Sequence, residues 1–203
     1  MYKLYDNDFA PSPRRVRMFM AEKGLPCERI AVDIAAGETR SADFLGVNAR
    51  GEVPVLELPD GRRLCESLAI CRYLEECHPE PNLLGKDALE RADIDAWVLR
   101  LMFGIYQPST LAFRHGHKFW AGKIEQIPAY GALAKQQVLN EWQTMDAHLQ
   151  HHRYIIGDTF SFADIVAFTT LEFGKPSGIR IGTEQANLRR WHAEIASRPS
   201  AAA

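Results

Sequence analysis

The stretch His78-Pro79-Glu80-Pro81-Asn82 constrains this chain of 203 residues more than any other. Each proline lacks a backbone N–H and pushes the residue before it away from the helical region, so neither a helix nor a central strand runs through this point. The two sides of the break obey different periodicities. Before it, short β-type runs alternate with helical ones; after it, only helical spacing recurs. The chain therefore reads as two domains, residues 1–77 and 86–203, joined by a linker over 78–85.

In the first part Tyr2-Lys3-Leu4-Tyr5 is a strand candidate, followed by a helix from Arg14 to Lys23 with Val16, Phe19 and Met20 at helical spacing and Gly24 as its stop. Arg29 to Val32 is a second strand and Ala42 to Asn48 a short helix. Val55 to Leu58 and Arg63 to Cys65 flank the turn Pro59-Asp60-Gly61 as a hairpin, and Ser67 caps a helix reaching about Cys77. The order βαβαββα needs one crossover helix between parallel strands and one hairpin, which defines a small α/β sandwich.

The second part carries long amphipathic helices. Ile94, Trp97, Val98, Leu101 and Ile105 share one side of Ala88–Tyr106, and Leu139, Trp142, Met145 and Leu149 one side of Leu133–His151. Ser161-Phe-Ala-Asp164 fits a capping box that opens a helix, Phe162 to about Glu172, apolar on nearly every side and therefore central to an all-α domain. Ser161 and Asp164 read as determinants of folding, not of turnover.

Composition narrows the partners. With 24 Lys+Arg against 26 Asp+Glu the formal charge is −2, which gives no electrostatic footprint for nucleic acid or an anionic membrane. The start, MYKLYDND, lacks a signal-peptide pattern, and no stretch approaches the ~18 apolar residues of a membrane span. The protein is expected to be cytoplasmic. Cys27, Cys65, Cys71 and Cys77 form no CxxC pair and no Cys/His ligand spacing, so neither a disulfide scaffold nor a metal site is expected, and Cys65 is expected to be buried in the sheet. His148, His151 and His152 share a helix face without an acidic or cysteine partner and read as a solvated helix end, with His115 and His117 similar.

Two segments carry chemistry. In Val53-Pro54-Val55-Leu56 the proline stands at a strand entrance, where it escapes ladder bonding and where a cis peptide would turn the Val53 amide and carbonyl outward, toward the backbone of a peptide-like ligand. Glu66-Ser67 stands at a helix mouth, whose amides and dipole favour a carboxylate while Glu66 accepts from an ammonium group. Together they suit an extended peptide with a zwitterionic amino-acid end; apart, each is equally an ordinary turn or cap.

The βαβαββα order with Val53-Pro54-Val55-Leu56 and Glu66-Ser67, the proline-bearing linker and Ser161-Phe-Ala-Asp164 resemble the cytosolic glutathione transferases over essentially the whole chain. The resemblance implies a thioredoxin-like α/β N-terminal domain that binds glutathione as co-substrate with no other cofactor, an all-α domain contributing an electrophile pocket, and a homodimer. By the same resemblance Pro54 is cis, Val53 pairs with the cysteinyl backbone of glutathione, and Glu66 and Ser67 hold its γ-glutamyl end. Asn48-Ala-Arg-Gly-Glu-Val-Pro resembles the family's loop before that proline; because Glu52 is acidic, Arg40 is the candidate for the glycyl carboxylate. Tyr106 and Phe113, with Phe103, would border the electrophile pocket, although Phe103 suits an interhelical core equally.

Serine-type members carry the thiol-activating hydroxyl about four residues before the first basic residue of the helix, a position held here by Ala10. Ser12 instead matches an asparagine position of some bacterial members, with Pro13 as the first helical residue and Tyr5 as a competing donor. Moving a thiol from about pKa 8.5 to mainly thiolate at pH 7 requires only ~2.7 kcal/mol, within reach of one charge-assisted hydrogen bond, a helix N-terminus and Arg14 or Arg15. The expected chemistry is attack of the thiolate on a hydrophobic electrophile. Glutathione-dependent peroxide or disulfide reduction is the alternative, and a non-enzymatic binding module with a lost active site at Ala10 is the third reading.

Overall fold

Short β-type runs and two apolar-faced helices build the first unit of the computed structural model, which describes all 203 residues. This unit comprises Met1–Leu83 together with Pro199–Ala203. Strand β1 (Tyr2–Asp6) pairs in parallel with β2 (Cys27–Ala31) across helix α1 (Pro11–Glu22). It pairs antiparallel with β3 (Val55–Glu57), whose hairpin partner is β4 (Arg63–Cys65), giving the order β2-β1-β3-β4. Helix α2 (Ala42–Val47) precedes β3, and α3 (Ser67–Cys77) follows β4 and packs against α1. Leu4, Val55 and Leu56 of the sheet are buried, as are Val16, Phe19 and Met20 of α1 and Ile70 and Leu74 of α3. The arrangement is that of a thioredoxin-like domain.

Local differences from the sequence reading have physical causes. Helix α1 begins at Pro11, not Pro13, because proline suits the first helical position, where an N–H is not needed. Helix α3 starts at Ser67 itself, so Glu66 occupies the cap position, at φ 68°. Residues Pro199–Ala203 join the first unit, not the helical one: Arg14 Nη2 donates to the Ala201 carbonyl at 3.0 Å and the Ser200 hydroxyl donates to Glu22. The Val53–Pro54 and Glu80–Pro81 bonds are cis. All four cysteines are free, and Cys65 is half-buried where a fully buried position was expected.

The second unit, Leu84–Arg198, is helical. Helix α4 (Ala88–Leu101) passes through a π-helical turn, Met102–Tyr106, into α5 (Gln107–Gly116); α6 (Pro128–Leu149), α7 (Phe162–Gly174) and α8 (Ala186–Ala196) follow. No helix is long and apolar enough to cross a membrane. His148 and His152 are not a solvated end: their rings stack at 4.2 Å, Trp97 lies 4.4 Å from His148, and ring nitrogens bond the carbonyls of Ile155 and His148. Only His151 of the three is exposed.

Helix α7 is buried from Phe162 to Leu171, and Asp164 ties its start to the rest of the unit. Both halves of the capping box are present. Asp164 Oδ2 accepts from the Ser161 amide at 2.9 Å, while Oδ1 accepts from the Ile155 amide at 3.0 Å and from Trp191 Nε1 of α8 at 2.8 Å. Complete burial pushes its carboxyl up to about 6, against the hydrogen bonds that favour the charged form. Asp164→Ala strips three N–H groups of their acceptor. At about 1–3 kcal/mol for each group left unsatisfied, stability falls by roughly 3 kcal/mol or more. Thermal unfolding followed by circular dichroism should show this drop for Asp164→Ala and almost none for the exposed neighbour Asp158→Ala.

Candidate active site

The loop between β1 and α1 is held by its own polar side chains. Asp6, 1% exposed, closes the end of β1 with salt bridges to Arg17 Nη1 of α1 at 2.5 Å and Arg29 Nε of β2 at 2.6 Å. Asn7 Nδ2 donates to the Val32 carbonyl at 2.9 Å, and Asn7 Oδ1 accepts from the Phe9 amide at 3.1 Å. The loop thus delivers Ala10 as the cap residue of α1, with no side-chain bond of its own. Pro11 and Pro13 carry no amide hydrogen, and the Arg14 amide is bonded to the Ala10 carbonyl. Half-buried Ser12, between the two prolines, is the residue of this helix start that carries both an amide hydrogen and a hydroxyl.

The loop before Pro54 is organised by Asn48, whose Nδ2 donates to the Glu52 carbonyl at 2.8 Å and whose Oδ1 accepts from the Arg50 amide at 3.1 Å. Exposed Glu52 pairs with Arg50 Nε at 3.1 Å, so its charge is met locally. Arg40 Nη1 donates to the Arg50 carbonyl at 3.1 Å, which places the guanidinium on this loop. Gly51 between them has φ +64°, and a Cβ there would lie 2.5 Å from the Thr39 carbonyl oxygen. Val53, half-buried, stands just outside the ladder that pairs Val55 with Tyr5 and Cys65.

At the mouth of α3, Glu66 is exposed and Ser67 is buried with its hydroxyl oxygen accepting from Arg15 Nη1 at 2.7 Å. That bond brings the first turns of α1 and α3 to one end of the unit. Pairing with Glu52 and, after it, the charge of Glu66 hold Arg50 in its charged form, while burial and then Glu66 push the Cys65 thiol up, so Arg50, which the sequence reading passed over, shares the field of this site. Arg15 was noted there only as a nearby charge. Tyr5 points elsewhere: its hydroxyl donates to Glu57 Oε2 at 3.4 Å, with Arg63 over its ring.

In the helical unit Phe113 forms an aromatic cluster, stacking on His117 at 4.9 Å and Phe119 at 5.9 Å and meeting Phe173 edge-on at 5.4 Å. Tyr106, at the end of the π-helical turn, lies 6.3 Å from the same Phe173. Phe103 is 66% exposed, which removes the interhelical-core reading for it. No group of three or more His, Cys, Asp or Glu side chains stands close enough to hold a metal ion.

A thioredoxin-like unit followed by an all-helical unit, with polar loops and two helix starts at one end of the first, defines a class that comparison identifies. The model of the glutathione S-transferase N-terminal domain matches residues 9–77, and that of the glutathione S-transferase C-terminal domain residues 115–199. Glutathione S-transferase 2 of Saccharomyces cerevisiae is 31% identical over 201 residues, spanning 97% of this chain and 86% of the relative. Maleylacetoacetate isomerase of Pseudomonas aeruginosa is 41% identical over 92 residues, 44% of this chain and 43% of its own. A glutathione S-transferase domain-containing protein of Marinobacter aquaeolei superposes with a TM-score of 0.91 at 32% identity, covering 98% of both chains. The chain belongs to the glutathione S-transferase family, and its function is of that type.

Gly51→Ala tests the loop geometry. A side chain at this φ and this close to a backbone oxygen forces the Arg40–Arg50 contact apart, and strain of this kind costs on the order of 1–3 kcal/mol. A lowered unfolding midpoint together with weakened glutathione binding in calorimetry is expected.

Proposed function

We propose that this chain is a cytoplasmic, homodimeric glutathione transferase in which Ser12 stabilises the thiolate of bound glutathione for attack on a hydrophobic electrophile. The observation that carries the reading is the start of α1, where Ser12, with an amide and a hydroxyl, stands between Pro11 and Pro13 at the positive end of the helix dipole. The positive end of the helix dipole and one O–H donor both favour sulfur as thiolate over thiol. Glutathione enters as co-substrate and no further cofactor is invoked. Its sulfur forms the new bond, by displacement of a leaving group or addition to an activated double bond, so no protein nucleophile is needed.

The rest of the peptide follows from the loops. The Val53 backbone, outside the ladder, pairs with the cysteinyl residue next to Pro54. Glu66 accepts from the γ-glutamyl ammonium, Ser67 and the amides of α3 hold its carboxylate, and Arg40 faces the glycyl carboxylate. The rings of Tyr106 and Phe113 supply an apolar, aromatic surface for the electrophile. Reduced cysteines, four of them free, suit the cytoplasm. If Ser12 acts as described, Ser12→Ala raises the apparent pKa of bound glutathione by roughly one pH unit, equivalent to ~1.4 kcal/mol. Ultraviolet titration of the thiolate reads this directly; an unchanged curve would transfer the role to Tyr5 or to backbone amides.

Helix α4 and the start of the π-helical turn after it support the dimer. Leu89, Ala92, Ala96, Leu99 and Phe103 alternate three and four residues apart, and all are exposed, with Leu89 at 72% and Phe103 at 66%. Apolar stripes of this size on a helix face mark contact with another protein surface. Sedimentation velocity should show a dimer for the native chain and a monomer for the double variant Leu99→Glu, Phe103→Glu, with the helical content of both the same.

A further inference from the structure

We propose that Arg15 is a positioning residue that fixes the Ser67 hydroxyl as a donor toward the carboxylate of the γ-glutamyl group; this rests on the placement of that group at Glu66 and Ser67. Arg15 is 0% exposed on α1, and its Nη1 lies 2.7 Å from Ser67 Oγ at the first position of α3. A guanidinium has N–H donors and no acceptor at any accessible pH. The Ser67 oxygen is therefore the acceptor in this bond.

A serine hydroxyl can otherwise rotate between donating and accepting. With one lone pair engaged by a cation behind it, its own hydrogen is turned away from Arg15 and left to donate. The same contact polarises the O–H bond, and in a low-dielectric interior such chains strengthen the outer donor. A buried positive charge one hydroxyl removed from the helix mouth also adds to the dipole of α3 in favouring an anion there. Ser67 thus becomes selective for a carboxylate, and Arg15 confers this without touching the ligand.

Arg15 belongs as well to a buried charged group with Lys23 and Glu75 around Cys71, so it also has a part in packing. A packing role affects every ligand alike; positioning affects only those with a γ-glutamyl group. Calorimetry with glutathione and with cysteinylglycine, which keeps the thiol and the glycyl end, separates the two. Ser67→Ala, Arg15→Lys and Arg15→Gln should each weaken glutathione about tenfold and leave cysteinylglycine unchanged. In the Ser67→Ala background, Arg15→Lys should add less than about a twofold effect.

A silent Ser67→Ala would remove the γ-glutamyl placement itself. Loss of affinity in Ser67→Ala with wild-type affinity in both Arg15 variants, with both ligands weakened equally, or with the full effect retained in the Ser67→Ala background would overturn the positioning role alone. Should the Arg15 variants not fold, the native protein still decides: the side-chain N–H resonances of Arg15 should shift on adding glutathione and stay in place on adding cysteinylglycine. Resonances that ignore glutathione would refute the proposal.

Discussion

The candidate site depends first on the carboxylate of Asp6. It lies at the end of β1, buried, and receives one arginine from α1 and another from β2, so that a single acidic group joins the three elements of the crossover. Arg17 is buried with it, and breaking a buried pair of this kind by removing one partner costs about 3–5 kcal/mol because the other charge is left without its counterion. The positions of Asn7, Ala10 and Ser12 follow from that closure, since only three residues separate Asn7 from the first helical residue. The start of α1 is thus held by a salt bridge at the base of the loop.

The three loops at this end of the thioredoxin-like unit are all organised from within. Asn7 serves the first and Asn48 the second, each by using its amide to bond backbone on both sides. The third, at Glu66, relies on the left-handed backbone of a non-glycine residue, followed at once by the helix that Arg15 contacts. Such order before ligand arrives reduces the entropy lost on binding an extended peptide.

The alternation of strands and helices, the hairpin, the proline break and the capping box were legible in the sequence because each rests on local chemistry. Val55-Leu56-Glu57 and Arg63-Leu64-Cys65 flank the turn Pro59-Asp60-Gly61, with Leu56 opposite Leu64 and Glu57 opposite Arg63, and Asp164 stands three residues after Ser161 as a capping box requires. The buried arginines escaped because their partners are non-local. Arg15 and Arg17 sit among Val16, Met18 and Phe19 and look like the wet side of an amphipathic helix, yet both are buried because partners from other elements meet them. Arg50 was hidden for the same reason, since the nearness of Glu66 to it depends on how two loops meet. Helix α5 was obscured by Pro108 at its start. Helix α8 was passed over although Leu188, Trp191 and Ile195 show the required spacing, and its Trp191 donates to the very aspartate that the capping box had singled out.

The π-helical turn at Met102–Tyr106 separates two surfaces along one continuous rod. Wherever a hydrogen bond spans five residues instead of four, one extra residue is stored and everything beyond it is rotated by about 100° relative to an unbroken α-helix. The outward stripe of α4 and the aromatic cluster at Phe113 of α5 are consequently phased independently, although no loop lies between them. The extra residue of the π-helical turn is taken up as a change of direction, not as a loop, so the exposed apolar stripe and the aromatic cluster can be altered one at a time.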